Sequence, residues 1–240
     1  MNVLVSGANR GLGFGIVKEL LKQDNVKHVF ATYRHWADIE ELSAIDDPRL
    51  HILEMELLEH ITIGSVYVKV RDVVGQDGLN VIINNAAVQE PYDLDKRINR
   101  RSIVAQIEVN AIGPMIICQA FLPQLRKAVK GGGKAMIVNV SDENASMEKC
   151  KGGTRRKGIV YQMSKAATNM LTRSLAEDIK DDEITLLAMS PGSVKTDMGG
   201  ERAESTVEQA AAEMVDKILN QITHKYSGGF FNRQLEPVPY

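Results

Sequence analysis

The chain opens MNVLVSGANRGLG, and no other stretch narrows its fold as far. Val3, Leu4 and Val5 form a short apolar run that reads as a strand buried on both faces. Gly7, Gly11 and Gly13 follow at Gly-x-x-x-Gly-x-Gly spacing, and a helical stretch containing Ile16, Val17, Leu20 and Leu21 comes next. Glycines at such a turn let the backbone bend tightly and approach a pyrophosphate, whose charge meets the N–H groups at the start of the helix. Strand, glycine turn and helix form the context that a dinucleotide site requires. No Gly-Lys-Ser/Thr follows, which disfavours a P-loop nucleotide hydrolase. The competing reading is a plain glycine-rich turn, and the glycines alone do not exclude it.

Strand and helix patterns alternate along the rest of the chain. Strands are expected at 2–6, 28–33, 50–54, 79–83, 134–140 and 184–189, with a short edge strand near 228–231. Helices are expected at 12–23, 36–44, 60–75, 100–128, 158–180 and 205–222. This predicts an α/β fold: a Rossmann-type doubly wound parallel sheet flanked by helices, in a single domain over 1–240. Ligands of such sheets bind beyond the carboxyl ends of the strands. Gly7, Asn84, Ser141 and Pro191 each follow a strand candidate, so one cleft can collect them.

Composition removes several alternatives. A net charge of −2 gives no reason to expect nucleic acid as a partner. No apolar run approaches the roughly 20 residues of a membrane span, and Met1 leads directly into the first strand. No membrane association and no signal peptide are expected, and a cytoplasmic location follows as the expectation. Cys118 and Cys150 read as structural thiols in a reducing compartment. His28, His35, His51, His60 and His224 are scattered without ligand spacing, so no metal site is expected.

Tyr161 and Lys165 are the candidate catalytic pair. They stand four residues apart in YQMSK, so a helix puts both on one face. A phenol titrates near a pKa of about 10. A cation about 5 Å away supplies on the order of 3 kcal/mol toward ionising it at an effective dielectric near 20. Lysine together with an oxidised nicotinamide is expected to bring the tyrosine into the working range of a general acid/base. Taken alone, Tyr-x-x-x-Lys is equally a surface pair on an amphipathic helix.

With these motifs in this order, the chain resembles the short-chain dehydrogenase/reductase family, classical type, over essentially all its length. Asn84-Asn85-Ala86-Ala87 is similar to the family's Asn-Asn-Ala-Gly, and Asn110, in EVNAIGP, stands in the place of its active-site asparagine. Pro191-Gly192-Ser193-Val194-Lys195-Thr196 is similar to the segment that lines the nicotinamide. KTDMGG and GGFFN bring the chain nearest to carbonyl reductases of the sniffer type and C-factor-like proteins.

The resemblance implies an NADPH-dependent oxidoreductase that reduces an aldehyde, ketone or quinone by hydride transfer. Tyr161 would donate the proton, Lys165 would hold the nicotinamide ribose, and Asn110 would anchor a water relay toward Lys165. Cofactor contacts are implied for Gly7, Asn9, Arg10, Gly11, Leu12 and Gly13 in the turn. Glu56 and Leu57 follow the third strand, Asn84 and Ala86 line the adenosine side, and Pro191, Gly192, Val194 and Thr196 follow the sixth strand. Arg34 ends HVFATYR, where an acidic residue would favour NAD. Its planar fork suits a 2′-phosphate, and Arg10 is a second candidate for the same group, which favours NADP(H). A homodimer or homotetramer is implied through helices 100–128 and 158–180, although the same apolar stripes also read as core faces.

One position departs from the family. Its members commonly carry a serine pair here whose second member polarises the substrate carbonyl, whereas this chain has Ser141-Asp142. Neighbouring side chains in an extended segment point to opposite faces, so Ser141 is not expected to reach without a local bulge. An ionised Asp142 cannot donate to a developing alkoxide and opposes its charge. A weakly active or inactive NADPH-binding regulatory or signalling protein is therefore the alternative reading. The segment from Asp142 to Tyr161 is long and carries Lys149, Lys151, Arg155, Arg156 and Lys157. It reads as a solvated loop, with a lid or an anion-attracting rim as the alternative. Asp197–Ser205, with Gly199-Gly200, is the other lid candidate.

Overall fold

The computed structural model describes residues 1–34, 39–92, 95, 97–150 and 158–240. His35, Lys151, Arg155, Arg156 and Lys157 lie outside the described residues.

The strands are β1 (Asn2–Val5), β2 (His28–Tyr33), β3 (Leu50–Glu54), β4 (Val81–Asn84), β5 (Met136–Val140), β6 (Thr185–Ser190) and β7 (Phe230–Asn232). They form one sheet in the order β3-β2-β1-β4-β5-β6-β7, with every neighbouring pair parallel. Every residue of β1, β4, β5 and β6 is buried. That is the condition of strands covered by helices on both faces, and it explains their continuous apolar runs.

Alternation along β1 divides the core. Val3 and Val5 join Ile16, Val17 and Leu20 of α1 (Gly11–Leu21) and Met214 of α7 (Val207–Asp216). Leu4 points the other way. It joins Val66 and Val70 of α3 (His60–Val74) with Phe121 and Leu125 of the long helix before β5. Each fully buried side chain of this size contributes about 1.5–3 kcal/mol relative to exposure. A capping box sets the start of α7: Thr206 Oγ1 accepts from Gln209 N at 3.2 Å, and Thr206 N donates to Gln209 Oε1 at 3.1 Å.

The structure corrects several expectations. Only Glu40–Ser43 is helical (α2) where 36–44 was expected, and residues 35–38 lie outside the described residues. The expected helix 100–128 is a rod, Arg100–Lys130, made of α4 (Arg100–Ile107), a π turn (Glu108–Ile112) and α5 (Gly113–Lys130). The Gly113 N–H reaches back five residues to Glu108 O. By length and composition this rod is apolar enough to cross a membrane, contrary to the reading of the apolar runs. Here Ile117, Cys118, Phe121 and Leu125 are buried in the core. The helix bearing Tyr161 is α6 (Ile159–Asp178).

The scattered histidines are not all apart. His28 and His51 come from adjacent strands, with Nδ1 and Nε2 at 3.1 Å, and Phe30 stacks on the His51 ring at 4.9 Å. Among the described residues, no group of three or more side chains suits a metal ion. Cys118 is buried, whereas Cys150 is exposed and does not fit a structural thiol.

Candidate active site

A cleft of about 540 Å³ crosses the carboxyl ends of β1 to β6. Its nucleotide end is the glycine turn, where Gly7, Asn9, Arg10, Gly11 and Leu12 line the wall. Gly7 takes a φ of +62°, and a Cβ there would stand 2.8 Å from Ala86 Cα. Gly13 lies behind the wall instead of on it. A Cβ at Gly13 would meet Gly7 O at 2.2 Å and Asn85 Nδ2 at 2.5 Å, so its lack of a side chain lets α1 close on the turn. No side chain caps α1, and its first turn contains no acidic residue. Its N-terminal N–H groups and positive dipole end can therefore meet an anion. A cradle of this kind fits a dinucleotide pyrophosphate.

The loop after β4 holds the turn in place, through Asn85 and not Asn84. Asn85 Nδ2 donates to Ser6 O at 3.0 Å and to Gly7 O at 2.9 Å. Ser6 Oγ accepts from the main-chain N–H of Asn85 at 3.0 Å and of Ala86 at 3.1 Å. Asn85 and Ala86 line the cleft. Asn84, expected on the adenosine side, is buried behind it and donates to Asn139 Oδ1 at 2.8 Å.

That bond starts a buried polar chain through the molecule. Asn139 Nδ2 donates to Thr172 Oγ1 at 2.9 Å, and Thr172 Oγ1 to Thr168 O at 2.8 Å. Thr168 Oγ1 donates to the main-chain oxygen of Asn110 at 2.7 Å. Asn110 Nδ2 donates to Ser164 Oγ, and Ser164 Oγ to Tyr161 O at 2.7 Å. Asn110 also clamps Val88, accepting from its N–H and donating to its carbonyl, both at 2.8 Å. It is buried and absent from the cleft wall, where its neighbour Val109 appears. These bonds use its side chain to position Val88 and α6, and its main-chain oxygen accepts from Thr168.

Tyr161 and Lys165 line the cleft together, both nearly enclosed. Lys165 Nζ donates to Val140 O at 2.7 Å and lies 5.8 Å from the centre of the Tyr161 ring. Burial pushes the Lys165 ammonium down to about 8, with the Asp142 carboxylate opposing. Burial also raises the Tyr161 phenol well above its ordinary value, and Asp142 raises it further. The expectation of a lowered phenol pKa is thus reversed in the protein alone, because removing the phenolate from water outweighs the charge beside it. Ser141 lines the cleft, but its hydroxyl donates to Asn169 Oδ1 at 2.6 Å. Asp142 follows, half-buried and on the cleft wall, with Oδ1 accepting from Asn144 N at 2.8 Å and Asn144 Nδ2 at 2.7 Å.

Arg34, Glu56 and Leu57 line the nucleotide end, as expected. Pro191, Gly192, Val194 and Thr196 line the wall after β6. Arg233 anchors this segment. It donates to Pro191 O at 2.8 Å, Ser205 Oγ at 2.6 Å and Glu213 Oε2 at 2.8 Å. Val194 and Ser205 pair as a bridge, so the expected lid Asp197–Ser205 is a loop closed at its stem. Arg10 donates to Asp197 Oδ2 at 2.8 Å across the mouth of the cleft. Lys149, from the expected basic loop, pairs with Glu143 at 2.9 Å.

A family model described as short chain dehydrogenase matches residues 1–207. The chain belongs to the short-chain dehydrogenase family. Among solved structures, this short-chain dehydrogenase is similar to the carbonyl reductase Sniffer of D. melanogaster. The two are 31% identical with a TM-score of 0.93, covering 100% of this chain and 99% of that one. It is also similar to an NADPH-bound carbonyl reductase from chicken fatty liver, at 34% identity and a TM-score of 0.93. That match covers 100% of this chain and 98% of the other. Among curated proteins, the C-signal of Myxococcus xanthus is 29% identical over 162 residues, 68% of this chain and 93% of that protein. The resemblance carried by KTDMGG and GGFFN agrees with these likenesses.

Sequence reasoning about this short-chain dehydrogenase missed Asn85, Val88 and Gln162 on the cleft wall, while Met198 falls within the expected lid segment. Asn85 had a signal, since it stands beside Asn84 in the same motif. Gln162 sits inside YQMSK. Glu41, which also lines the cleft, had none, because its helix approaches only through the fold.

Proposed function

We propose that this short-chain dehydrogenase is an NADPH-dependent reductase of aldehydes, ketones or quinones, with residues 1–240 acting as one NADP(H)-binding domain. The observation that carries the reading is that buried Tyr161 and Lys165 line the same cleft as the glycine turn. The likeness to an NADPH-bound carbonyl reductase supports the nucleotide and the reaction class. Gly7, Asn9, Gly11 and Leu12 would hold the pyrophosphate, Arg34 and Arg10 the 2′-phosphate, and Lys165 the nicotinamide ribose. Bound NADPH would supply a hydride to the carbonyl carbon. Tyr161, kept protonated by burial, would give its proton to the carbonyl oxygen. Lys165, titrating at about 8, would return a proton to the phenolate near neutral pH. Ser141, held by Asn169, would set the loop that presents Asp142. Exposed Ile112 and Met115 on the rod, with Met163 and Met170 on α6, support a homodimer or homotetramer built on these helices.

Ser141's commitment to Asn169 favours a second reading, an NADPH-binding regulatory protein with little turnover. NADPH consumption against a panel of dicarbonyls, quinones and aldehydes separates the two, with NADH and Tyr161→Phe as controls. The reductase reading expects turnover that falls about 10²–10⁴-fold in the Phe variant while NADPH still binds. Saturable NADPH binding without turnover of any carbonyl would favour the regulatory reading.

A further inference from the structure

Asp142 places a carboxylate where a carbonyl reductase needs a hydrogen-bond donor. It lines the cleft with Tyr161, Lys165, Asn144 and Gln162. The backbone is extended at Asp142 (φ −145°, ψ 137°), and the side chain caps the short turn Glu143–Ala145. Both hydrogen bonds it receives from described residues, from Asn144 N and Nδ2, fall on Oδ1. Among the described residues it forms no ion pair: Lys149 is paired with Glu143, and Lys165, which donates to Val140 O, acts on Asp142 only through its charge. Of the other cationic side chains on the cleft wall, Arg10 and Arg34 belong to its nucleotide end and Lys195 to the segment after β6. Ser141 offers no free proton, since its hydroxyl donates to Asn169.

A neutral ketone held on the Tyr161 hydroxyl meets the Asp142 carboxylate in the same cleft, a negative charge that opposes the one developing on its oxygen. A carboxylate placed against Asp142 is opposed by like charge. A substrate that brings its own positive charge turns the same feature into a recognition element, because a charge-assisted hydrogen bond in a partly water-excluded site is among the stronger contacts a protein makes.

We propose that the carbonyl substrate carries a protonated amine, which seats on the Asp142 carboxylate while the carbonyl oxygen meets the Tyr161 hydroxyl. This rests on the carbonyl-reduction reading above. The reaction itself is unchanged. Tyr161 would give its proton to the carbonyl oxygen, whose C=O π pair forms the new O–H bond as the carbon accepts the hydride that bound NADPH would supply, and the ammonium neither gains nor loses a bond. Asp142 then sets specificity by charge, and the positive end of the substrate offsets the repulsion that Asp142 imposes on the alkoxide.

The test uses acetophenones bearing an aminomethyl, an ethyl or a carboxylate group at the meta or para position, reduced by the full chain with NADPH. In the wild type, kcat/KM is expected to be highest for the aminomethyl ketone by roughly tenfold or more over the ethyl one, with the carboxylate lowest. Asp142→Asn keeps the shape and is expected to flatten this order, and Asp142→Ser to flatten it while raising the ethyl ketone. Equal values for the three ketones in the wild type, or a charge order that survives in both variants, would overturn the proposal. Should NADPH bind with no ketone turned over, the reductase reading fails separately. Calorimetric titration of the aminomethyl ketone into NADPH-saturated protein then decides: binding lost in Asp142→Asn supports the Asp142 site, and no binding to the wild type overturns it.

Discussion

Lys165 Nζ lies 5.8 Å from the centre of the Tyr161 ring yet spends its hydrogen bond on Val140 O at 2.7 Å. The two side chains share one helix face, but burial governs both. It drives the lysine down to about 8 and the tyrosine up, so both are pushed toward their neutral forms. Near neutral pH the tyrosine is neutral folded or unfolded, so the cost in stability falls on the lysine.

That cost is measurable through pH. The ordinary Lys pKa is 10.5 and the folded value is about 8. Below about pH 8 the folded state carries a buried ammonium, a penalty of roughly 3 kcal/mol. Between the two values the unfolded chain holds a proton that the folded chain lacks, so stability rises with pH across that window. Lys165→Met removes the penalty. It is expected to be more stable than the wild type near pH 7, with the gap narrowing toward about pH 10. Urea midpoints of both proteins across that range check this. A gap that is constant or widens with pH would contradict the lysine's lowered pKa.

Arg10 and Arg34 are expected to discriminate the nucleotides differently. Arg34→Ala should raise KM for NADPH by about 10–100-fold, the worth of a charge-assisted hydrogen bond, and leave NADH nearly unchanged. Arg10 is engaged with Asp197, but both side chains are exposed, at 70% and 82%. Such a pair contributes about 0–1 kcal/mol. Asp197→Asn should therefore leave the urea midpoint unmoved and tighten NADPH severalfold by freeing the Arg10 fork. Steady-state KM values for both nucleotides give the readout, and an equal loss for NADH and NADPH in Arg34→Ala would place Arg34 away from the 2′-phosphate.

Two glycines of similar appearance in the sequence are expected to respond oppositely to alanine. A Cβ at Gly13 would stand 2.2 Å from Gly7 O, a backbone atom with no freedom to turn aside. Gly13→Ala should cost about 1–3 kcal/mol through overpacking and abolish NADPH binding as the turn is displaced. Gly64, exposed on α3, has nothing within 4 Å of its Cβ position. Gly64→Ala should stabilise the protein by up to about 1 kcal/mol through helix propensity alone. Denaturant titration with a fluorescence titration of NADPH distinguishes the two.

The sequence by itself determined the parallel sheet, because continuous apolar strands alternating with amphipathic helices have few other ways to bury both faces. It also determined that the glycine turn, Ser141 and the segment after β6 meet, since topology brings strand ends to one cleft, while Tyr161 and Lys165 joined them only through the family resemblance. The tertiary structure decided matters that adjacent residues leave ambiguous. Asn85 faces the turn and Asn84 the buried polar chain, because their directions depend on where β4 ends. The π turn lodges Asn110 against Val88 and Ser164, partners distant in sequence that no local pattern encodes. The pKa values of Tyr161 and Lys165 were decided there as well. Charge spacing is written in the sequence, but the loss of water that outweighs it exists only once the chain has closed around them.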